Sequence, residues 1–363
     1  MTSPRRVRPS GGGPARLRTG LALGLTAIVA SGCTLFAAEE PQGGGGGAVV
    51  KLVTHESFSV PQEILDAFAQ QSGIRIEVLK EGDAGALTNK LVLTKANPIA
   101  DVAYGVDSTF ASRALDEGVF APYTSPEGDR GAQRFAVDGS QGLSAVDLGD
   151  VCVNVDSAWF AEKGLPEPTG YEDLLKPEYK DLTVVENPAT SSPGLAFLLG
   201  TVAEYGEQGW ADYWTKLKGN GVKAVAGWTE AYSQEFSGSA GKGPRPIAVS
   251  YASSPAAEVG ADGVAPTKAL LDTCYRQVEY AGVLAGGAQP ETAGKVVDFL
   301  LSQQFQAILA ENMYVYPARE GVELPATWAT AAPLPAEPAS LPGETVQAGR
   351  ERWVEQWRGL LEG

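Results

Sequence analysis

Short apolar runs alternate with stretches of helical period from residue 49 onward, and this rhythm constrains the fold more than any other feature of the chain. "VVKLVTH" (49–55) reads as a strand and "VPQEILDAFAQQSG" (60–73) as an amphipathic helix. Ile64, Leu65 and Phe68 share one face of that helix, and Gly73 supplies its stop. "IRIEVLKE" (74–81) is the next strand, "AGALTNKLVLTKAN" (84–97) the next helix and "ADVAYGVD" (100–107) another strand. Strand, helix and strand at this spacing imply right-handed crossovers and a parallel core sheet, hence an α/β protein. "DVCVNVD" (150–156) opens a second series that continues through "LTVVENP" (182–188) and "IAVSYAS" (247–253). Late in the chain, "ETAGKVVDFLLSQQFQAILAE" (291–311) reads as one amphipathic helix. "GRERWVEQWRGLL" (349–361) reads as a terminal one, whose Trp353 and Trp357 form a packing face.

The segment ahead of this body has a different character. Its five arginines, the last at Arg18, precede "GLALGLTAIVASGC" (20–33), an apolar run too short to span a bilayer but suited to an export signal. Ala30-Ser31-Gly32 before Cys33 resembles a bacterial lipobox, with Ala30 where leucine is usual; it predicts a signal peptide over 1–32 and lipidation of Cys33. Arg5-Arg6 lacks the context of a twin-arginine signal, so the general export route is expected. Residues 33–47 end in a run of glycines and read as a flexible tether with an r.m.s. span of about 20 Å. This predicts a body working at the extracytoplasmic face of the cell membrane.

Net charge is −16, and without the five signal arginines 23 basic residues face 44 acidic ones. Such a surface repels nucleic acid and suits either plain solubility or a cationic ligand. Cys152 and Cys274 are an even pair in an exported chain, which favours a disulfide; two separate buried thiols are the alternative. Two distant cysteines and one histidine make a poor zinc set.

Two strands are each followed by a serine pair and a proline, Ser191-Ser192-Pro193 and Ser253-Ser254-Pro255. Serine before proline is the expected pairing of N-cap and first helical residue. Both starts are read as helix caps, and as polar-group sites at the carboxyl edge of a sheet. Enzyme signatures are lacking: there is no G-x-S-x-G elbow, HExxH, CxxC or dinucleotide fingerprint. "GSAGKGP" (238–244) only faintly resembles a phosphate loop and reads as a mobile loop.

The segments "THESF", "EGDAGALTNKL", "ADVAYGVD", "NPATSSPGLAFLL", "AGWTEAYSQEF", "VSYASSPA" and "YVYPA" follow one another in an order that resembles the thiamine-binding substrate-binding proteins of ABC importers. The resemblance covers nearly all of residues 49–363. It implies the two-lobed (type II) periplasmic-binding-protein fold, each lobe a mainly parallel sheet flanked by helices, with the ligand in the cleft between lobes. The implied division is 48–146 with about 280–315 for lobe 1, and 147–279 with about 316–363 for lobe 2.

Carried over residue by residue, Asp83 and Ala84 meet the ligand from the first lobe, and Ser191 and Ser192 its hydroxyethyl or phosphate end. Trp228 stacks on a flat cationic ring, and Tyr251, Ala252, Ser253 and Ser254 complete the pocket. His55 and Tyr314 stand where tyrosine and tryptophan are usual, so His55 is read as a pocket-wall residue. The implied ligands are thiamine, thiamine monophosphate or thiamine diphosphate. The implied partners are separate permease and ATPase subunits, with no cofactor, for a monomeric binder that is not an enzyme. Three rival readings follow from the same residues. One is a ferric-ion binder using His55, Asp83 and Tyr251; another is a lipoprotein hydrolase with His55 as base. The third is a purely structural surface lipoprotein.

Overall fold

A computed structural model of the chain describes residues 47–137 and 141–363. The signal segment, Cys33 and most of the tether lie outside the described residues. Among those residues no helix is long and apolar enough to cross a membrane.

Among the described residues nine strands form one mixed sheet: β1 (Ala48–Thr54), β2 (Ile74–Lys80), β3 (Val102–Asp107), β4 (Ser144–Asp156), β5 (Thr183–Glu186), β6 (Lys223–Val225), β7 (Ile247–Tyr251), β8 (Thr267–Val283) and β9 (Tyr316–Pro317). Their order is β2-β1-β3-β8-β4-β7-β5-β6, with β9 paired to β4. Each outer half is parallel, as the strand–helix rhythm predicts: β1 pairs β2 and β3, and β5 pairs β6 and β7. The middle is antiparallel. β8 runs against β3 only through its last residues, Glu279–Val283, but against β4 from Ser144↔Ala281 to Asp156↔Thr267. β4 in turn pairs β7 through residues 151–155. Only β4 and β8 run through both halves, and the boundaries expected near residues 146 and 280 fall inside them. This is the two-lobed periplasmic-binding-protein architecture.

The register of β4 against β8 breaks between Ala145 and Asp147 and again between Val151 and Val153. Such bulges bend a strand and re-aim its side chains. Cys152 sits in the second irregularity and is joined to Cys274 of β8 by a disulfide that closes a separation of 122 residues.

Helix Gln62–Ser72 buries Leu65 and Phe68, and Phe68 stacks on Phe299 of helix Pro290–Leu300 at 4.3 Å between centroids. The single helix expected over 291–311 is instead three. Ser302 follows the first, and its hydroxyl accepts the amide of Phe305, capping a new turn (Gln303–Gln306) instead of continuing the old one. A third turn spans Leu309–Asn312.

Helix Ser192–Gly219, broken at Gly206, packs its Trp214 edge-on against Trp357 of helix Gly343–Leu361 at 5.6 Å. Trp353 and Trp357 are fully buried, as their i, i+4 spacing predicts. The segment after residue 315 divides: Tyr316, Ala318 and Trp328 pack in the same cluster as β1 and helix Pro290–Leu300, whereas Val346, Trp353 and Trp357 join the cluster around helix Ser192–Gly219.

Candidate functional site

The carboxyl ends of β1 and β7, the start of helix Ser192–Gly219 and the segment 312–315 enclose a cavity of about 300 Å3, within the range of small-molecule sites. His55, Asp83, Ala84, Ser192, Trp228, Tyr251, Ser254 and Tyr314 all line it, so eight of the eleven expected ligand residues converge. The other three lie behind the wall. Ser191 is buried at the N-cap, where its hydroxyl accepts the amide of Gly194 at 3.4 Å. Ala252 is buried beside the disulfide. Ser253 does not cap a helix, contrary to the serine-proline reading: its hydroxyl donates to the carbonyl of Tyr314 at 2.5 Å. The residues after it form a single 3-10 turn, Ser254–Glu258, so this start offers no helix of open amides.

Aromatic rings form one side. Trp228 lies parallel to Tyr232, 5.2 Å between centroids and 10° between planes, and Tyr251 stands 6.3 Å away at 59°. The Trp228 Nε1 donates to Ser250 Oγ at 2.8 Å, and Ser250 and Ser254 share a 2.7 Å hydrogen bond. Tyr251 covers Gly149, where a β-carbon would stand 2.7 Å from its Cδ1; any larger residue would push the ring out of the wall. Tyr314, at φ +53°, is 36% exposed and completes the rim. A flat apolar cation between such rings gains dispersion and cation–π attraction of about 2 kcal/mol per well-desolvated contact.

Asp83 does more than cap helix Ala84–Thr94. Its Oδ1 accepts the amides of Ala84 and Ser192 at 2.6 and 3.2 Å, and its Oδ2 accepts that of Trp228 at 2.9 Å. The carboxylate therefore fastens one side of the cleft to two elements of the other. A second fastening joins the amide of Ala86 to the carbonyl of Thr190 at 3.0 Å.

The floor is a buried polar cluster that the sequence reading missed. His55 Nδ1 and Ser57 Oγ are 2.8 Å apart, and His55 Nε2 is 3.6 Å from Glu279 Oε1. Tyr104 donates to Asp147 and lies 3.3 Å from Glu279. Burial alone disfavours the imidazolium, but the negative charge of Glu279, with Asp83 and Asp107 beyond, raises the His55 pKa above its usual value. Burial likewise opposes charge on Glu279, yet the charge of His55 beside it holds it below the ordinary carboxyl range. Burial, and then the charge of Glu279, push the Asp147 pKa well above the ordinary carboxyl range. Asp107 is pushed by burial to about 7. Gly105 admits the imidazole: at φ +101°, a β-carbon there would lie 2.3 Å from His55 Cδ2.

Tyr232, Glu258, Asn312 and Met313 were also missed, as was loop 238–244, which lines the cavity through Ser239, Ala240 and Gly241. That loop is fastened by Gly243 N to Phe236 O at 3.0 Å and Lys242 N to Ser239 O at 3.1 Å, and it serves as a wall. Among the described residues no cluster of three or more His, Cys, Asp or Glu side chains is arranged to hold a metal ion. Of the ferric set, Asp83 already accepts three amides.

A family profile described as bacterial extracellular solute-binding protein matches residues 97–336. The thiamine-binding periplasmic protein of Brucella suis is 28% identical over 318 residues, covering 84% of this chain and 90% of that protein. The protein of the same description from Escherichia coli is 28% identical over 322 residues, covering 85% and 92%. A solved structure described as a periplasmic thiamin binding protein superposes with a TM-score of 0.77 at 25% identity, over 88% of this chain and 98% of that one.

Proposed function

We propose that this chain, which belongs to the bacterial extracellular solute-binding protein family, captures thiamine outside the cytoplasm and hands it to the permease of an ABC importer. The observation that carries the reading is the cavity itself. Trp228, Tyr232, Tyr251 and Tyr314 form its aromatic side, Ser192 offers a buried hydroxyl without a partner, and the formal charges around it are carboxylates and one imidazole. A flat aromatic cation with a polar end matches each of these, and the relatives named above support the choice of thiamine. Lobe 1 is 48–146 with about 280–315, extended by the segment to about 332, and lobe 2 comprises 147–279 with the terminal helix. They close by bending β4 and β8, and Asp83 is the contact made on closure. The chain is monomeric and is tethered to the outer face of the membrane by lipid on Cys33. Titrating thiamine into the protein should quench or shift tryptophan emission saturably; a flat response to thiamine discards the reading. Detergent partitioning lost in Cys33→Ser tests the anchor.

One arrangement favours a second reading. Ser57, His55 and Glu279 form a serine–imidazole–carboxylate chain in the cavity wall. In a catalytic triad the carboxylate hydrogen-bonds the imidazole and fixes its tautomer, whereas here His55 Nε2 stands 3.6 Å from Glu279 Oε1, outside hydrogen-bond distance. Membership of the solute-binding family supports a ligand that is held and released unchanged. Ester hydrolysis abolished by His55→Ala would establish the hydrolase instead.

A further inference from the structure

A second cavity, of about 1000 Å3, lies behind the hinge. Val278 and Tyr280 of β8 line it, whereas Glu279 between them lines the ligand cavity. Successive strand residues point to opposite faces, so the two cavities stand on opposite sides of the same strand. Ser112 and Leu115 of helix Ala111–Asp116 wall this groove from the first lobe, and Ser340 and Leu341, just ahead of the terminal helix, wall it from the other side. The walls touch at one edge, where Gln347 Nε2 donates to Asp116 Oδ2 at 2.6 Å.

β4 and β8 join the lobes, and a rotation about them that narrows one side must widen the other. In this conformation the front is fastened, with Asp83 bound to the amides of Ser192 and Trp228. The groove behind is correspondingly wide. Leu115 and Leu341 are only half-buried there, although each packs against the core of its own lobe. Opening the cleft brings these walls together and removes that apolar surface from water, which favours the open form. None of these wall residues reaches the ligand cavity.

Resting on the closure described under the proposed function, and not on the identity of the ligand, we propose that this groove is the restoring element of the hinge. Closure exposes its lining and reopening buries it, so the side chains here set how long the ligand is held without touching it. Bulk placed in the groove blocks reopening, and loss of its apolar surface removes the drive towards it. Both favour the closed form.

Two substitutions test this on the whole protein. Ser340→Trp fills the groove from an exposed position, and Leu341→Gln keeps the size of the side chain while removing apolar surface. Small-angle scattering of the ligand-free proteins should give a smaller radius for each variant than for the parent. Calorimetric titration with thiamine should show affinity raised by about tenfold, and stopped-flow tryptophan emission should place the gain in slower dissociation. If Leu341→Gln does not fold, Ser112→Trp asks the same question from the opposite wall. An unchanged radius with unchanged or weaker thiamine affinity in the folded variants overturns this inference and leaves the thiamine reading standing. Smaller radii with no thiamine binding by parent or variants overturn the thiamine reading alone. Unchanged radii with no binding overturn both.

Discussion

Asp83 Oδ2 lies 2.9 Å from the backbone nitrogen of Trp228, a residue 145 positions further along the chain. With the bond from Ser192 to Oδ1, this carboxylate couples the position of the stacking tryptophan to the start of the long helix. Asp83→Ala removes a helix cap, at about 1 kcal/mol, and leaves two amides of the facing lobe without their partner. Thiamine affinity should fall by about tenfold or more. Small-angle scattering of the ligand-free variant should give a larger radius than the parent. Unchanged affinity and radius would remove Asp83 from the account of closure.

His55 faces Glu279, Asp83, Asp107, Tyr104 and Ser57, and its raised pKa means that it is protonated through more of the near-neutral range than a free imidazole. An imidazolium in the wall opposes a cationic ligand, so thiamine affinity should rise as pH increases through the folded-state pKa of His55. His55→Tyr should keep or improve affinity and reduce this slope. The part due to Asp107, which titrates at about 7 and acts in the same direction, should remain. Lost binding in His55→Tyr would mean that the imidazole makes a contact the ligand needs.

Asp107 gives the chain a pH-dependent stability of its own. Its Oδ1 accepts from Thr109 N, Thr109 Oγ1 and Phe110 N, while Oδ2 is buried without a partner. Because burial raises the folded pKa from 3.8 to about 7, the stabilising contribution is complete below pH 3.8 and is lost as pH rises towards 7. The loss amounts to about 4 kcal/mol at most. Asparagine keeps the acceptor oxygen and cannot ionise, so Asp107→Asn should raise Tm at pH 8 and flatten its dependence between pH 4 and 7. A parallel pair of Tm profiles would contradict this.

The disulfide joins the two strands that run through both lobes. Replacing Cys152 and Cys274 by serine should destabilise the protein by about 4–5 kcal/mol on the chain-entropy view. That corresponds to a fall in Tm of about 10 °C. Reductant should lower the parent's Tm similarly and leave the variant's unchanged; equal sensitivity of both would show that the bond contributes little.

The outer strands and helices were legible in sequence because each alternates apolar and polar residues at its own period, as in β1 and helix Gln62–Ser72. β8 was not, because Asp272, Arg276, Gln277 and Glu279 interrupt its apolar pattern. Two of these are matched only across the fold, Arg276 by Asp150 and Glu279 by His55. The same cause hid half of the site. The resemblance brought Asp83, Ser192, Trp228 and Tyr251 to the cleft, whereas Glu279 and Glu258 carry no motif and Tyr232, inside "AGWTEAYSQEF", was given no role. Glu279 left one trace: a carboxylate between Val278 and Tyr280 in an otherwise apolar run, the pattern of a buried charge with a distant partner. Ser253 was misread as a cap because serine before proline has the same spelling in a 3-10 turn as at a helix start.

The central claim is that the cleft holds thiamine as a cation between aromatic rings. Titration calorimetry of the whole protein with thiamine, repeated on Trp228→Ala, tests it most directly. Saturable one-to-one binding by the parent, weakened by about tenfold or more in the variant, is the predicted result. Absence of binding by the parent, together with a tyrosinate charge-transfer band on adding ferric iron, would contradict it.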